Sequence, residues 1–153
     1  MSAIRARQAV RGLFIDPTGA LLLLFTGSRR GDRFWLTPGG GIEGGESTFD
    51  ALARELREEV GYTLEALPEE VWSRTFDYVS SRGPARQSER YFLIQTRRFE
   101  PSFDFLPTEE ERQEILDWRW WTEAQIRAAA NERFAPAALP DLLAEVTGRL
   151  SLP

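Results

Sequence analysis

Three glutamates, Glu55, Glu58 and Glu59, stand within five residues of one another, just after the glycine-rich run Gly39-Gly40-Gly41 and Gly44-Gly45. On a helix of about 100° per residue, Glu58 falls about 60° to one side of Glu55 and Glu59 about 40° to the other. The carboxylates then share one arc. Like charges at such spacing weaken a helix by about 0.2–0.5 kcal/mol per pair. A bound cation reverses that sign, and an oxygen-only, highly charged donor set suits Mg²⁺ or Mn²⁺. A solvated acidic face is the plain alternative. Glycines allow a backbone to approach a ligand closely, so that amide groups face phosphate and carbonyls face metal.

Composition narrows the chemistry. The 153 residues contain no cysteine and no histidine. Thiolate chemistry, disulfides and the commonest general base are excluded, leaving carboxylates, hydroxyls, arginines and oxygen-bound metal. All 19 basic residues are arginine, a planar fork suited to phosphate. The net charge of -5 argues against a general binder of nucleic acid or anionic membrane. No apolar run reaches the ~20 residues of a membrane helix, and residues 1–12 do not read as a signal peptide. The expectation is one cytoplasmic domain over 1–153.

The elements that must position these residues follow from patterning. Residues 8–15 and 20–25 read as strands joined at Asp16-Pro17-Thr18-Gly19, a β-hairpin. Residues 27–33 form an arginine-bearing loop, and 34–36 a short strand into the glycines. Ser47 and Thr48 cap a helix running to about Val60 and ending at Gly61. On it, Phe49, Leu52, Ala53, Leu56 and Val60 make an apolar face beside the acidic arc. Residues 71–79 and 90–99 are predicted strands separated by a polar loop that includes 80–87. Residues 100–111 read as a second loop, 115–121 as a tryptophan-rich strand, 122–130 and 140–150 as helices. The predicted class is α+β, a mixed sheet between helices.

Residues 40–62 resemble the Nudix hydrolase pattern G-x5-E-x7-R-E-U-x-E-E-x-G-U, where U is a bulky apolar residue. The match runs through Gly40, Glu46, Arg54, Glu55, Leu56, Glu58, Glu59, Gly61 and Tyr62. Only Tyr62 departs, being aromatic where an aliphatic residue is usual. The resemblance implies the α/β/α sandwich of that family. It implies that Glu55, Glu58, Glu59 and the carbonyl of Gly39 bind divalent metal, Mg²⁺ or Mn²⁺. Arg54 would pair with Glu46 and hold the loop on the helix, and Gly40 and Gly61 would be structural. Glu58 or a later acid would be the general base; Glu114 is the choice because it precedes the strand at 115, with Glu109, Glu110 and Glu111 as competitors. Arg54, Glu58 and Glu114 form the expected catalytic set.

The implied reaction is water attack on a pyrophosphate bond in a nucleoside diphosphate linked to another moiety: an NTP or dNTP, a dinucleoside polyphosphate or a nucleotide sugar. For substrate walls, Arg33, Trp35 and Tyr78 are the leading candidates. Phe34, Phe76 and Phe103 are further stacking candidates, and Arg29, Arg30, Arg74, Arg86 and Arg90 further phosphate contacts. Trp118, Trp120 and Trp121 read as structural. The partner is expected to be a small nucleotide, with no stable nucleic-acid partner and a homodimer an open option. A non-catalytic sensor on the same fold is the alternative; such modules lose motif glutamates, and none is lost here.

Overall fold

Alternating side chains in the first long strand divide the molecule into two cores. In the computed structural model, which describes residues 3–27, 31–150 and 152, strand β1 is Arg5–Ile15. Leu13 and Ile15 point to one face of the sheet, Val10 and Phe14 to the other. Strands β2 (Leu21–Gly27), β3 (Arg33–Leu36) and β4 (Gly39–Gly41) follow. Helix α1 (Thr48–Val60) leads to β5 (Glu70–Ser80) and β6 (Gly83–Gln95). Helix α2 (Glu109–Glu114), β7 (Ile115–Trp121), α3 (Glu123–Ala128), β8 (Phe134–Ala135) and α4 (Leu139–Gly148) complete the described elements.

The mixed sheet runs in the order β5-β6-β1-β2-β3-β8, with β4 on β1 and β7 on β2. Its frame is the parallel pairing of β1 with β6 along their length, from Arg5↔Ala85 to Ile15↔Gln95. One face carries α1 through Leu52, Leu56 and Val60, all fully buried against Val10, Phe14 and Leu22. Each such side chain contributes about 1.5–3 kcal/mol by leaving water. The opposite face carries Ile126 of α3 and Leu139, Leu142, Leu143 and Val146 of α4. Helices therefore cover the sheet on both sides, in agreement with the class read from the sequence.

One local expectation holds and two change. The β1–β2 hairpin closes at Ile15↔Leu21, where the Asp16 carboxylate accepts from the amides of Thr18 and Ala20, and the strands then part to different neighbours. The segment 83–87, read as loop because it is polar, belongs to β6; it pairs with β5 on one side and β1 on the other. The acidic segment 109–114 is helical. Thr108 caps it by accepting from the Glu111 amide, and the acids of its first turn suit the positive end of the helix.

Candidate active site

The cap and stop of α1 are local. Ser47 Oγ accepts from Asp50 N at 3.0 Å, and Gly61 closes the last turn onto Arg57 O. Buried Leu52 and Leu56 set the rotation of the helix, and its acidic arc then faces β4 and the strand ends of the sheet. Two glycines make that approach possible. Gly39 has φ +143°, and a Cβ there would lie 2.1 Å from Val10 O. A Cβ on Gly40 would lie 2.7 Å from the Glu55 carboxylate. A larger residue at Gly39 would push the loop off β1, and one at Gly40 would push it off the helix.

A cleft of about 840 Å³ opens between these parts. Glu55, Glu58, Glu59 and Arg54 line it from α1, Gly39, Gly40 and Gly41 from β4, and Glu111 and Glu114 from α2. Arg7 and Arg11 enter from β1, Phe34 and Leu36 from β3. Arg54 organises the near wall. Its Nε and Nη2 donate to the two Glu46 oxygens at 2.8 and 2.9 Å, and Nη2 also to Gly41 O at 3.0 Å. Nη1 donates to Glu55 at 3.0 Å and Glu58 at 3.3 Å. The hydrogen bonds from Arg54 hold the Glu46 carboxyl down at about 2.

Glu59 behaves differently. Burial pushes its pKa up to about 8, against the opposing pull of the Gly39 amide, which donates to it at 2.9 Å. Burial also raises Glu55, with Arg54 working against it. On α2, burial first, and then the charges of Glu58 and Glu114, raise Glu111.

Among the described residues, no three acidic side chains converge closely enough to enclose an ion as they stand. Arg54 holds Glu55 and Glu58, and Glu59 is bonded to a backbone amide. The donor set nevertheless fits a hard divalent cation: carboxylates, two of them with raised pKa, beside a backbone carbonyl, with no nitrogen or sulfur ligand.

A second arginine cluster lies beneath the loop, and no local spacing in the chain points to it. Arg11 donates through Nε and Nη2 to Glu89 Oε2 at 3.1 and 3.0 Å, and through Nη1 to Thr37 O and Gly39 O at 3.3 and 3.2 Å. Glu89 is 1% exposed and also accepts from Arg74, Gln87 and Tyr91. Burial opposes both charges. Each partner overcomes it for the other, so that Arg11 is raised and Glu89 lowered from its ordinary value. Only the Arg11↔Tyr91 register, across 80 positions, could have indicated the pairing.

The outer candidates divide. Trp35, expected on a substrate wall, is a core residue. Strand alternation turns it away from the cleft that Phe34 and Leu36 line, and it packs on Phe25 and Trp121 with Nε1 donating to Glu132 at 3.0 Å. Arg33 is exposed at the strand edge and Tyr78 half-buried on β5; neither lines the cleft. Arg29 and Arg30 lie outside the described residues. Arg86 is paired with Asp77, and Arg90 with Glu70 and Thr48. Phe103 packs with the α1 core. Of the later acids, Glu111 and Glu114 line the cleft; Glu109 and Glu110 do not.

Residues 5–142 match the family model described as NUDIX domain. The chain is 30% identical over 135 residues to an RNA pyrophosphohydrolase of Shewanella loihica, covering 73% of this chain and 75% of that protein. Among solved structures, it resembles the MutT protein from Methanosarcina mazei Go1, with TM-score 0.67 and 19% identity over 98% of this chain and all of that one. A NUDIX hydrolase from Nitrosomonas europaea gives TM-score 0.65 and 21% identity, covering 94% of this chain and 90% of that one. At those identities, the structural likeness shows the fold alone.

Proposed function

The chain belongs to the NUDIX domain family, and from that premise we propose a Mg²⁺-dependent hydrolase, with Mn²⁺ able to substitute, that cleaves a pyrophosphate bond in a nucleoside diphosphate linked to another moiety. One observation carries the reading: three motif glutamates and the Gly39 backbone share a cleft with two further acids from α2. Glu55, Glu58, Glu59 and the Gly39 carbonyl would hold the metal, which when bound supplies charge against the diphosphate and lowers the pKa of water.

The chain's own groups do the rest. Glu46 and Arg54 keep the glycine loop seated on α1. Arg7, exposed on the cleft and in no ion pair with any described residue, offers charge to a phosphate oxygen. Proton removal from the attacking water falls to Glu58, Glu114 or Glu111. The raised pKa of Glu111 brings it nearer to neutrality, where a base works best. The substrate is an NTP or dNTP, a dinucleoside polyphosphate or a nucleotide sugar, and the name of the Shewanella relative adds RNA carrying a 5′ pyrophosphate bond.

The experiment incubates the protein and Mg²⁺ with ATP, dGTP, diadenosine tetraphosphate, a nucleotide sugar and 5′-triphosphorylated RNA. We expect release of a monophosphate or of pyrophosphate from at least one of these. Binding without release from any would contradict the proposal. Glu111→Gln and Glu114→Gln, assayed side by side, identify the base by which one flattens the acidic limb of the pH profile.

A further inference from the structure

The pairing order leaves β5 at one end of the sheet, with β6 on one edge and no described strand on the other. The opposite end of the sheet is β8, which is two residues long. A short end strand gives another chain little to pair with. Strand β5 runs eleven residues, Glu70–Ser80, and contains no proline. Its outer edge presents a row of N–H and C=O groups to any added strand. Charged side chains commonly guard such an edge. Those of β5 are engaged within the molecule: Glu70 pairs with Arg90, Arg74 with Glu89 and Asp77 with Arg86.

The two faces of β5 differ. Trp72, Arg74, Phe76 and Tyr78 alternate onto one face. Trp72 packs on Tyr91, the Arg74 guanidinium lies 4.4 Å from the Phe76 ring centre, and the Phe76 and Tyr78 rings are 6.0 Å apart. The core covered by α3 and α4 reaches Trp72 and stops there. Phe76 and Tyr78, farther along, are half-buried. The reverse face carries Ser73, Thr75 and Asp77, all exposed, with Thr75 bonded to Ser88.

We propose that β5 pairs antiparallel with β5 of a second copy of this chain, about a twofold axis through Thr75. An axis perpendicular to the sheet keeps each face on its own side, so facing residues share one alternation and the axis passes through a residue. Thr75 is the midpoint of Glu70–Ser80, and this centre gives the longest overlap. It sets Trp72 opposite Tyr78 of the second copy and Arg74 opposite Phe76. An aromatic pair and a cation beside a ring are favoured cross-strand neighbours. On the reverse face, Ser73 meets Asp77 and Thr75 meets Thr75. A centre at Arg74 or Asp77 would place like charges opposite each other. A centre at Phe76 would move Trp72 from Tyr78 to Ser80. The same axis brings the helix-covered half of each β5 beside the bare half of the other. The occupant is a second copy because one register makes the strand complementary to itself on both faces. The pairing does not depend on the hydrolytic reading above.

The test is sedentation-independent mass by light scattering on the eluting full chain, over about a hundredfold range of concentration. We expect wild type to reach twice the chain mass. Thr75→Arg sets two cations on the axis and weakens the dimer by about tenfold or more, and Thr75→Asp does the same with two anions. Mixing the two variants restores the wild-type dimer, because an arginine then faces an aspartate. Phe76→Ala/Tyr78→Ala weakens the dimer by about tenfold or more. Leu116→Arg, at an exposed position on β7, stays within about twofold. Circular dichroism of each variant at low concentration, where all are monomers, shows an unchanged fold. A wild type that stays monomeric throughout overturns the proposal and leaves the edge to a strand of another protein. A dimer indifferent to Thr75→Arg, or a mixture no tighter than either variant alone, overturns it as well.

Discussion

Two arginine–glutamate clusters support the same glycine loop from opposite sides, and they are built in opposite ways. Arg54 gathers Glu46, Glu55 and Glu58 from within thirteen residues of chain, on a half-buried wall of the cleft. Arg11 meets Glu89 across 78 residues, with Glu89 almost wholly buried. The first cluster bonds Gly41 O and the second Gly39 O. The loop is thus clamped locally on one side and by long-range topology on the other. Exposed pairs are worth about 0–1 kcal/mol, whereas breaking a buried pair costs about 3–5 kcal/mol. The motif cluster is then expected to govern chemistry, and the topological cluster stability.

The sharpest break in that comparison is Glu58→Gln. We expect turnover to fall by about a thousandfold while thermal melting stays within a few degrees, because the substitution removes one of three crowded charges. Near-normal turnover would remove Glu58 from the site. Glu89→Gln is expected to act the other way round. Arg11 and Arg74 would keep their charges without a counter-ion, costing about 3 kcal/mol, or roughly 6–12 °C in melting temperature for a chain of this size. A melting temperature unchanged in that variant would place the stabilising weight elsewhere.

Two smaller effects sharpen the contrast through pH. Glu59 titrates at about 8 in the fold against an ordinary 4.5. Raised in this way, it contributes stability that is full below about 4.5 and lost as pH rises through about 8. In EDTA, melting temperature should therefore fall over that window, and Glu59→Gln should flatten the fall; a flat wild-type curve would contradict it. Glu46 has the reverse sign. Its carboxyl is held at about 2, so its contribution is present above 4.5 and lost as pH falls towards 2. Partly open to solvent, the pair is worth about 1 kcal/mol. Glu46→Gln should lower stability by that amount at neutral pH, with the difference vanishing on the acid side.

The same contrast explains what could be read in advance. Everything about α1 is local: the Ser47 cap, the Gly61 stop, the apolar stripe and the spacing of Glu55, Glu58 and Glu59 all lie within fifteen residues. The Arg11–Glu89 pair has no such spacing, since it depends on β1 and β6 lying parallel. The start of β6 reads as loop because Arg86, Gln87 and Glu89 are polar, and only neighbours on both sides make a polar strand stable. Helix α2 has no apolar face to give it periodicity; its one sign was Thr108 three residues before Glu111. Trp35 reads as a wall because its ring could stack on a base, while alternation gives the cleft to Phe34 and Leu36.

Calorimetric titration with Mn²⁺ at pH 7 tests the central claim most directly. Wild-type protein should take up the ion saturably, with protons released from Glu59, and Glu55→Gln/Glu58→Gln should abolish that uptake while remaining folded. Wild-type protein that binds no Mn²⁺, or a double variant that binds it as well as wild type, would contradict the assignment of these glutamates as the metal site.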